Sequence, residues 1–217
     1  MSGSVYDANW QHRPIGFTHR LVAEQVPYGA RVLDVGSAGG YLAEFLRDRR
    51  GCSVTCLDYD EGSIEKARAR GLEARQIDLD SEPIRGEDFD VVVFADVLEH
   101  LRRPAETLRQ ARGARRAVIS LPNVAHWSAR RELLSGRFPK NRDGLFDATH
   151  LQFLTRSTMH ALAADGGWCV IDERYVGDRL PGEPWLRGLH RLRQPAAVRF
   201  PDLFAYQIVL TLEPLRP

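Results

Sequence analysis

The sequence predicts an α/β fold, a doubly wound sheet with helices on both faces. Three observations carry this. Short apolar runs alternate with helical patterns along most of the chain. One of those runs, "RVLDV" (31–35), is short and rich in β-branched residues, and another, "FDVVVFAD" (89–96), is apolar almost throughout, as a strand covered on both faces should be. A glycine-rich turn, "GSAGG" (36–40), follows the first of them.

The elements follow in order. "IGFTHRLVAEQV" (15–26) has helical apolar spacing and is stopped by Pro27 and Gly29. Strand "RVLDV" and the glycine turn lead to a helix, "YLAEFLRDRR", ended by Gly51. "SVTCLD" is a second strand, "GSIEKARAR" a helix stopped by Gly71, and "EARQIDL" (73–79) a third strand. "FDVVVFAD" is the fourth strand, "PAETLRQA" a helical stretch and "RAVISL" the fifth strand. "TRSTMHALAADGG" reads as a helix with Thr155 as N-cap and Gly166 or Gly167 as its stop. "WCVIDERYV" and "LFAYQIVLTLE" are closing strands, separated by a long insert. Alternation of this kind predicts right-handed crossovers and a mostly parallel sheet.

Composition excludes several functions. Of 217 residues, 43% are hydrophobic and 27% charged, as in an ordinary globular domain, and the formal net charge is only +1. No global field therefore favours nucleic acid or an anionic membrane. The three cysteines, at 52, 56 and 169, have no metal-ligand spacing and suit a reducing compartment. The N-terminal stretch has no apolar signal-peptide core, and no apolar run reaches the roughly 18 residues of a membrane span. A cytoplasmic protein of one domain is expected.

The glycine turn brings backbone N–H groups within reach of a ligand at a helix N-terminus. A dinucleotide fingerprint, G-x-G-x-x-G, is not met: from Gly36, Ala38 and Tyr41 stand where the later glycines belong. The turn of an S-adenosylmethionine site, D-x-G-x-G-x-G, is met at Asp34, Gly36 and Gly40, with Ala38 in place of the middle glycine. The other strand ends agree. Asp58, closing strand two beside Tyr59, is placed to accept ribose hydroxyls, and Asp78 to meet an adenine amino group, with Ile77 or Leu79 as an apolar wall. Asp58 as a turn acid and Asp78 as a helix cap remain the local alternatives. Ala95 and Asp96 end strand four, beside the expected methionine part. With Ser37 these residues form the expected cofactor set.

On these motifs the chain resembles class I S-adenosylmethionine-dependent methyltransferases over almost its whole length. The resemblance implies a Rossmann-like, seven-stranded sheet with an antiparallel last strand, "FAYQIVLTLE". "DVLEHL" resembles the ubiquinone-pathway O-methyltransferases. "SLPNVAHWSARRELLSGRF", "GLFDATHLQFLT" and "LFAYQIV" resemble a subgroup associated with glycans and natural products. "PNVAHW" with "GRF" also resembles the methionine-biosynthesis protein MetW, which suggests a regulatory or partner protein that transfers no methyl group as an alternative.

Methyl transfer to a hydroxyl needs alignment and a base. The candidates are His100, His126 and His150, with Asp147 as base or as support for His150. The structural alternatives are a helix-start residue for His100 and, for His150, a loop organiser in which Asp147 bonds backbone N–H groups as an Asx turn; Trp127 beside His126 packs in the core or forms a pocket wall. Asp96, Glu99 and His100 with a later His also resemble the Mg²⁺ constellation of small-RNA 2′-O-methyltransferases, but "DVLEHL" segments are common in relatives resembling metal-free enzymes, so no metal is expected.

The expected acceptor is a small molecule, a sugar or natural-product hydroxyl, with N-methylation of an amine as the alternative. Arg130, Arg131, Arg137, Lys140 and Arg142, and later Arg187, His190, Arg191 and Arg193, suggest an anionic or nucleotide-linked acceptor. The chain reads as a single domain (1–217) with an N-terminal cap at 1–28, where Tyr6 or Trp10 would pack near the cofactor. Acceptor-side inserts are expected at about 122–155 and 177–202. No nucleic acid or membrane partner is expected; a homodimer is allowed.

Overall fold

The computed structural model describes residues 15–183, 185–186 and 188–215. The expected packing of Tyr6 and Trp10 lies outside them. The described residues hold a seven-stranded sheet in the order β3-β2-β1-β4-β5-β7-β6. β1 (Arg31–Val35), β2 (Ser53–Asp58), β3 (Glu73–Gln76), β4 (Val91–Ala95) and β5 (Arg116–Pro122) pair in parallel. β7 (Ala205–Pro214) runs antiparallel between β5 and β6 (Trp168–Gly177). The Rossmann-like sheet with an antiparallel last strand is thus as expected.

Helices α1 (Phe17–Gln25), α2 (Tyr41–Arg50) and α3 (Glu61–Ala69) cover one face, where Val22, Leu46 and Ile64 meet Val54, Val93 and Val118. α4 (Pro104–Gln110) and α6 (Arg156–Asp165) cover the other, where Leu108, Met159 and Leu162 meet Phe94 and Ile119. Alternation along β1 sends Val32 to the first face and Leu33 to the second, as the period of a strand requires. Thr155 caps α6, with a reciprocal capping box through Thr158, and Gly166 is its C-cap. No described helix is long and apolar enough to cross a membrane.

Three elements differ from expectation. β3 stops at Gln76, so Asp78 and Leu79 lie in the turn beyond it. After β4 the chain makes a short 3-10 turn, Leu98–His100, before α4 begins at Pro104. The stretch after β5 contains a helix the apolar pattern does not announce, α5 (Trp127–Leu134), whose one buried residue is Ala129. The late insert holds α7 (Arg193–Arg199) and α8 (Pro201–Phe204). It packs toward α5: Trp127 Nε1 donates to the Arg179 carbonyl at 2.8 Å, and Arg130 donates to the Asp202 carbonyl at 3.2 Å.

Candidate functional site

The strand order reverses between β1 and β4, and a cleft opens there at the carboxyl ends of the strands. Its volume is about 740 Å³, within the range of small-molecule sites. Asp34, Gly36, Ser37, Asp58, Tyr59, Asp78, Leu79, Ala95 and Asp96 all line it, as does His100. Gly40 lies behind the wall, as N-cap of α2 with φ 78°. A Cβ there would come within 2.6 Å of Leu72. Ile77 is core rather than wall.

Gly36 turns the chain at φ 70°, where a Cβ would lie 2.3 Å from Val97 Cγ2, so only glycine closes this approach. Ala38 holds a left-handed backbone, φ 48°, in the position where the motif prefers glycine. The turn is fixed by Asp58, which accepts from the Ala38 N–H at 2.7 Å and the Asp60 N–H at 2.9 Å. Each carboxylate oxygen can accept twice, so Asp58 keeps capacity for ligand hydroxyls. Asp78 accepts from the Asp80 N–H and the Ser81 hydroxyl, which is the local turn-holding alternative for this residue.

The cleft is acidic. Among the described residues, Asp34, Asp58, Asp60, Asp78, Asp80 and Asp96 line it against a single arginine, Arg102, which faces Asp80. Asp34 is buried, and one of its oxygens has no hydrogen-bond partner; the same holds for the Ser37 hydroxyl. Burial and then the Asp58 charge push the Asp34 carboxyl up to about 7. An orphaned buried carboxyl in an acidic cleft is a site for a cationic ligand carrying N–H or O–H donors. The amino acid and sulfonium charges of S-adenosylmethionine fit that demand, its ribose fits Asp58, and Leu79 offers an apolar wall for a base.

At the other end of the cleft the segment 144–155 is docked onto the turn after β4. The Glu99 carbonyl accepts from the Leu151 and Gln152 N–H groups at 2.8 and 2.9 Å. This sets His150 edge-on to His100, ring centres 4.8 Å apart. Asp147, which is buried, accepts from the Thr149 N–H at 2.7 Å and the Thr149 hydroxyl at 2.6 Å. That hydroxyl, its proton spent on Asp147, accepts from His100 Nδ1 at 3.1 Å. Asp147 therefore supports His100 through Thr149, where direct support of His150 was expected. Burial, then His100, lowers the His150 pKa. Burial, then Asp96, raises that of Glu99.

His126 is corrected from a base to a helix cap. It is fully buried, accepts from the Ser128 N–H as N-cap of α5 and packs on Tyr206. It does not line the cleft, and burial pushes it down to about 4. Nor does the basic stretch 130–142 reach the lining: Arg130 binds backbone carbonyls and Arg137 pairs with Glu132.

Asp60, Asp80, Arg102 and His19 line the cleft although the sequence did not single them out. His19 of α1 faces the cleft and Asp96, with its pKa lowered by burial against the pull of that carboxylate. The available signal was a His sharing the helical stripe of Ile15, Val22 and Val26.

Comparison with known proteins agrees with the fold and sharpens the family. A ubiquinone biosynthesis O-methyltransferase of Neisseria meningitidis serogroup C (strain 053442) is 39% identical over 89 residues, 37% of this chain and 37% of that protein. The matched stretch thus spans little more than a third of such relatives. A solved S-adenosylmethionine-dependent methyltransferase from Mesorhizobium loti superposes with TM-score 0.63 at 18% identity, covering 91% of this chain and 98% of that one. One from Archaeoglobus fulgidus does so with TM-score 0.58 at 18% identity, covering 90% and 94%. These show the class I methyltransferase fold. The profile of the family described as methionine biosynthesis protein MetW matches residues 17–202, most of the chain, which therefore belongs to the MetW family.

Proposed function

We propose that the protein binds S-adenosylmethionine in this cleft and transfers its methyl group to a small molecule, a hydroxyl of a sugar or natural product. The observation that carries the reading is the pairing of two ends. Buried Asp34 and Ser37, each with one oxygen that has no hydrogen-bond partner, stand beside Asp58 at the donor end. Two histidines, His150 with its pKa lowered by burial and His100 held by Thr149, stand at the acceptor end. When bound, the donor supplies an electrophilic methyl on sulfur. The chain's part is to orient the donor with Asp34, Asp58 and the glycine turn, and to take the acceptor proton at His150, the role expected of it. His19 beside Asp96 is a second base within the same cleft.

On this reading the described residues form one domain, with 15–28 contributing to a cap and acceptor-side inserts at about 122–155 and 177–202. The exposed apolar side chains Phe138, Leu151 and Phe153, near the acceptor loop, suit an uncharged acceptor better than the anionic or nucleotide-linked one expected from the arginines. A cytoplasmic location is supported by the free cysteines, Cys52 and Cys56 buried and Cys169 exposed.

Calorimetry with S-adenosylmethionine tests the donor site: absence of binding at millimolar ligand ends the reading. Transfer of labelled methyl to a panel of sugars, phenols and amines then separates O- from N-methylation. A regulatory MetW-like role, favoured by the family match, predicts donor binding with no transfer to any acceptor.

A further inference from the structure

Three carboxyl groups converge behind the acceptor loop. Glu99 is 1% exposed, and its Oε2 has no hydrogen-bond partner. The charges acting on it, Asp96 and Asp147, are both negative. Asp96 is satisfied by the Ser120 hydroxyl at 2.9 Å and the Gln207 amide at 3.0 Å, and Asp147 by Thr149. Of the three, Glu99 alone keeps an oxygen, Oε2, without a donor, in a place where an unpaired charge is costly.

Two imidazoles face it. Ligand atoms of Glu99, His100 and His150 all lie within 4.8 Å of one another. His100 is held in the tautomer that leaves a lone pair on Nε2, because Nδ1 must donate to Thr149, whose carbonyl at 3.3 Å can only accept. His150 Nδ1 is buried and has no hydrogen-bond partner. An imidazole whose second nitrogen is bonded to backbone or hydroxyl, beside a carboxylate, is the usual dressing of a metal ligand.

We propose that Glu99, His100 and His150 form a site for a first-row divalent cation of the zinc, cobalt or iron type, with open coordination positions turned to the cleft that His100 lines. Two imidazoles and one carboxylate select such borderline ions over Mg²⁺, which wants oxygen ligands and keeps its waters. Tetrahedral metal–ligand bonds of about 2.1 Å place two ligands about 3.4 Å apart. The widest pair of the cluster therefore needs to close by up to about 1.4 Å, a movement that side-chain rotation can supply. Asp96 stays outside the set, since Ser120 and Gln207 occupy it. The cation would bind an acceptor oxygen and ease loss of its proton; His150, held as a ligand, would then yield the role of base to His19. This role rests on the methyl-transfer reading; the binding of the cation does not.

The test is titration of chelator-treated full-length protein with Co²⁺ and Zn²⁺, followed by the visible Co²⁺ band and by calorimetry. One equivalent should bind at micromolar or tighter Kd. Glu99→Gln and His150→Ala should each weaken it at least tenfold. Millimolar Mg²⁺ should not displace the Co²⁺ band. Circular dichroism and S-adenosylmethionine affinity serve as fold controls, and His100→Ala provides a second variant should one misfold. Binding that survives all three substitutions, or no stoichiometric binding by the wild type, overturns the proposal. Displacement by Mg²⁺ overturns the choice of ion. Cation binding without donor binding would sink the methyl-transfer reading and leave the metal site standing.

Discussion

Gln207 of β7 donates its side-chain amide to both oxygens of Asp96, 3.0 Å from each. Asp96 follows β4 in a left-handed conformation, φ 57°, that most side chains avoid. The contact, with Ser120 and with the Thr18–Gln207 hydrogen bond, ties β4, β5, β7 and α1 together at the cleft floor. Gln207→Ala should cost about 1.5–3 kcal/mol, the range for hydrogen bonds to charged groups. Urea unfolding measures it. An unchanged midpoint would mean that Asp96 is held by the strand alone.

The two residues of the turn should respond in opposite ways. Gly36→Ala forces a Cβ into Val97 and a positive φ on alanine, and should cost about 3 kcal/mol or more together with donor affinity. Ala38→Gly relieves a positive φ while loosening the unfolded chain, so its net effect should lie within about 1 kcal/mol of zero, with affinity kept. Paired melts and calorimetry decide. Tolerance at Gly36 would refute the steric account.

Asp34 should make stability and affinity depend on pH. Its carboxyl is raised from 3.8 to about 7 in the folded protein, so the folded state holds an extra proton between those values. The resulting contribution is full below about pH 4, declines through the window and is gone above about pH 7. It amounts to about 4 kcal/mol at 1.36 kcal/mol per unit. Melts of ligand-free protein should show this slope flattened in Asp34→Asn. A cationic donor favours the ionised form, so S-adenosylmethionine should bind more tightly as pH rises through about 7, and not so in the variant.

His126→Ala should remove a cap from α5 and cost about 1 kcal/mol, leaving donor affinity as it was. Its pKa, depressed to about 4, works against folding in acid: stability is lost as pH falls from 6.5 toward that value, and the variant should lose less. If the variant kept full stability but lost methyl transfer, the base assignment would return to His126.

Sheet and donor turn were legible because their signals are local. Continuous apolar strands, the glycines at 36 and 40 and the strand-end acids each follow from backbone sterics or burial within a few residues. The acceptor side was less legible. α5 buries only Ala129 and so shows no apolar stripe, and His126 reads the same from sequence whether it caps a helix or moves a proton. The support of His100 by Asp147 runs through Thr149 across 49 residues of chain, a relation no spacing rule contains.

The position of β7 has a consequence for synthesis. β6 reaches the sheet only through β7, which is inserted between β5 and β6 and carries Gln207. A nascent chain whose β7 is still in the ribosome can assemble β1 to β5 and the glycine turn, but β6 lacks its native partner and Asp96 lacks its amide clamp. The donor half of the cleft can thus form early, while the floor beneath the acceptor is finished by the strand that emerges last. Premature termination before Gln207 should yield chains that expose the β5 edge and go to degradation, rather than a protein that holds donor with a defective acceptor site.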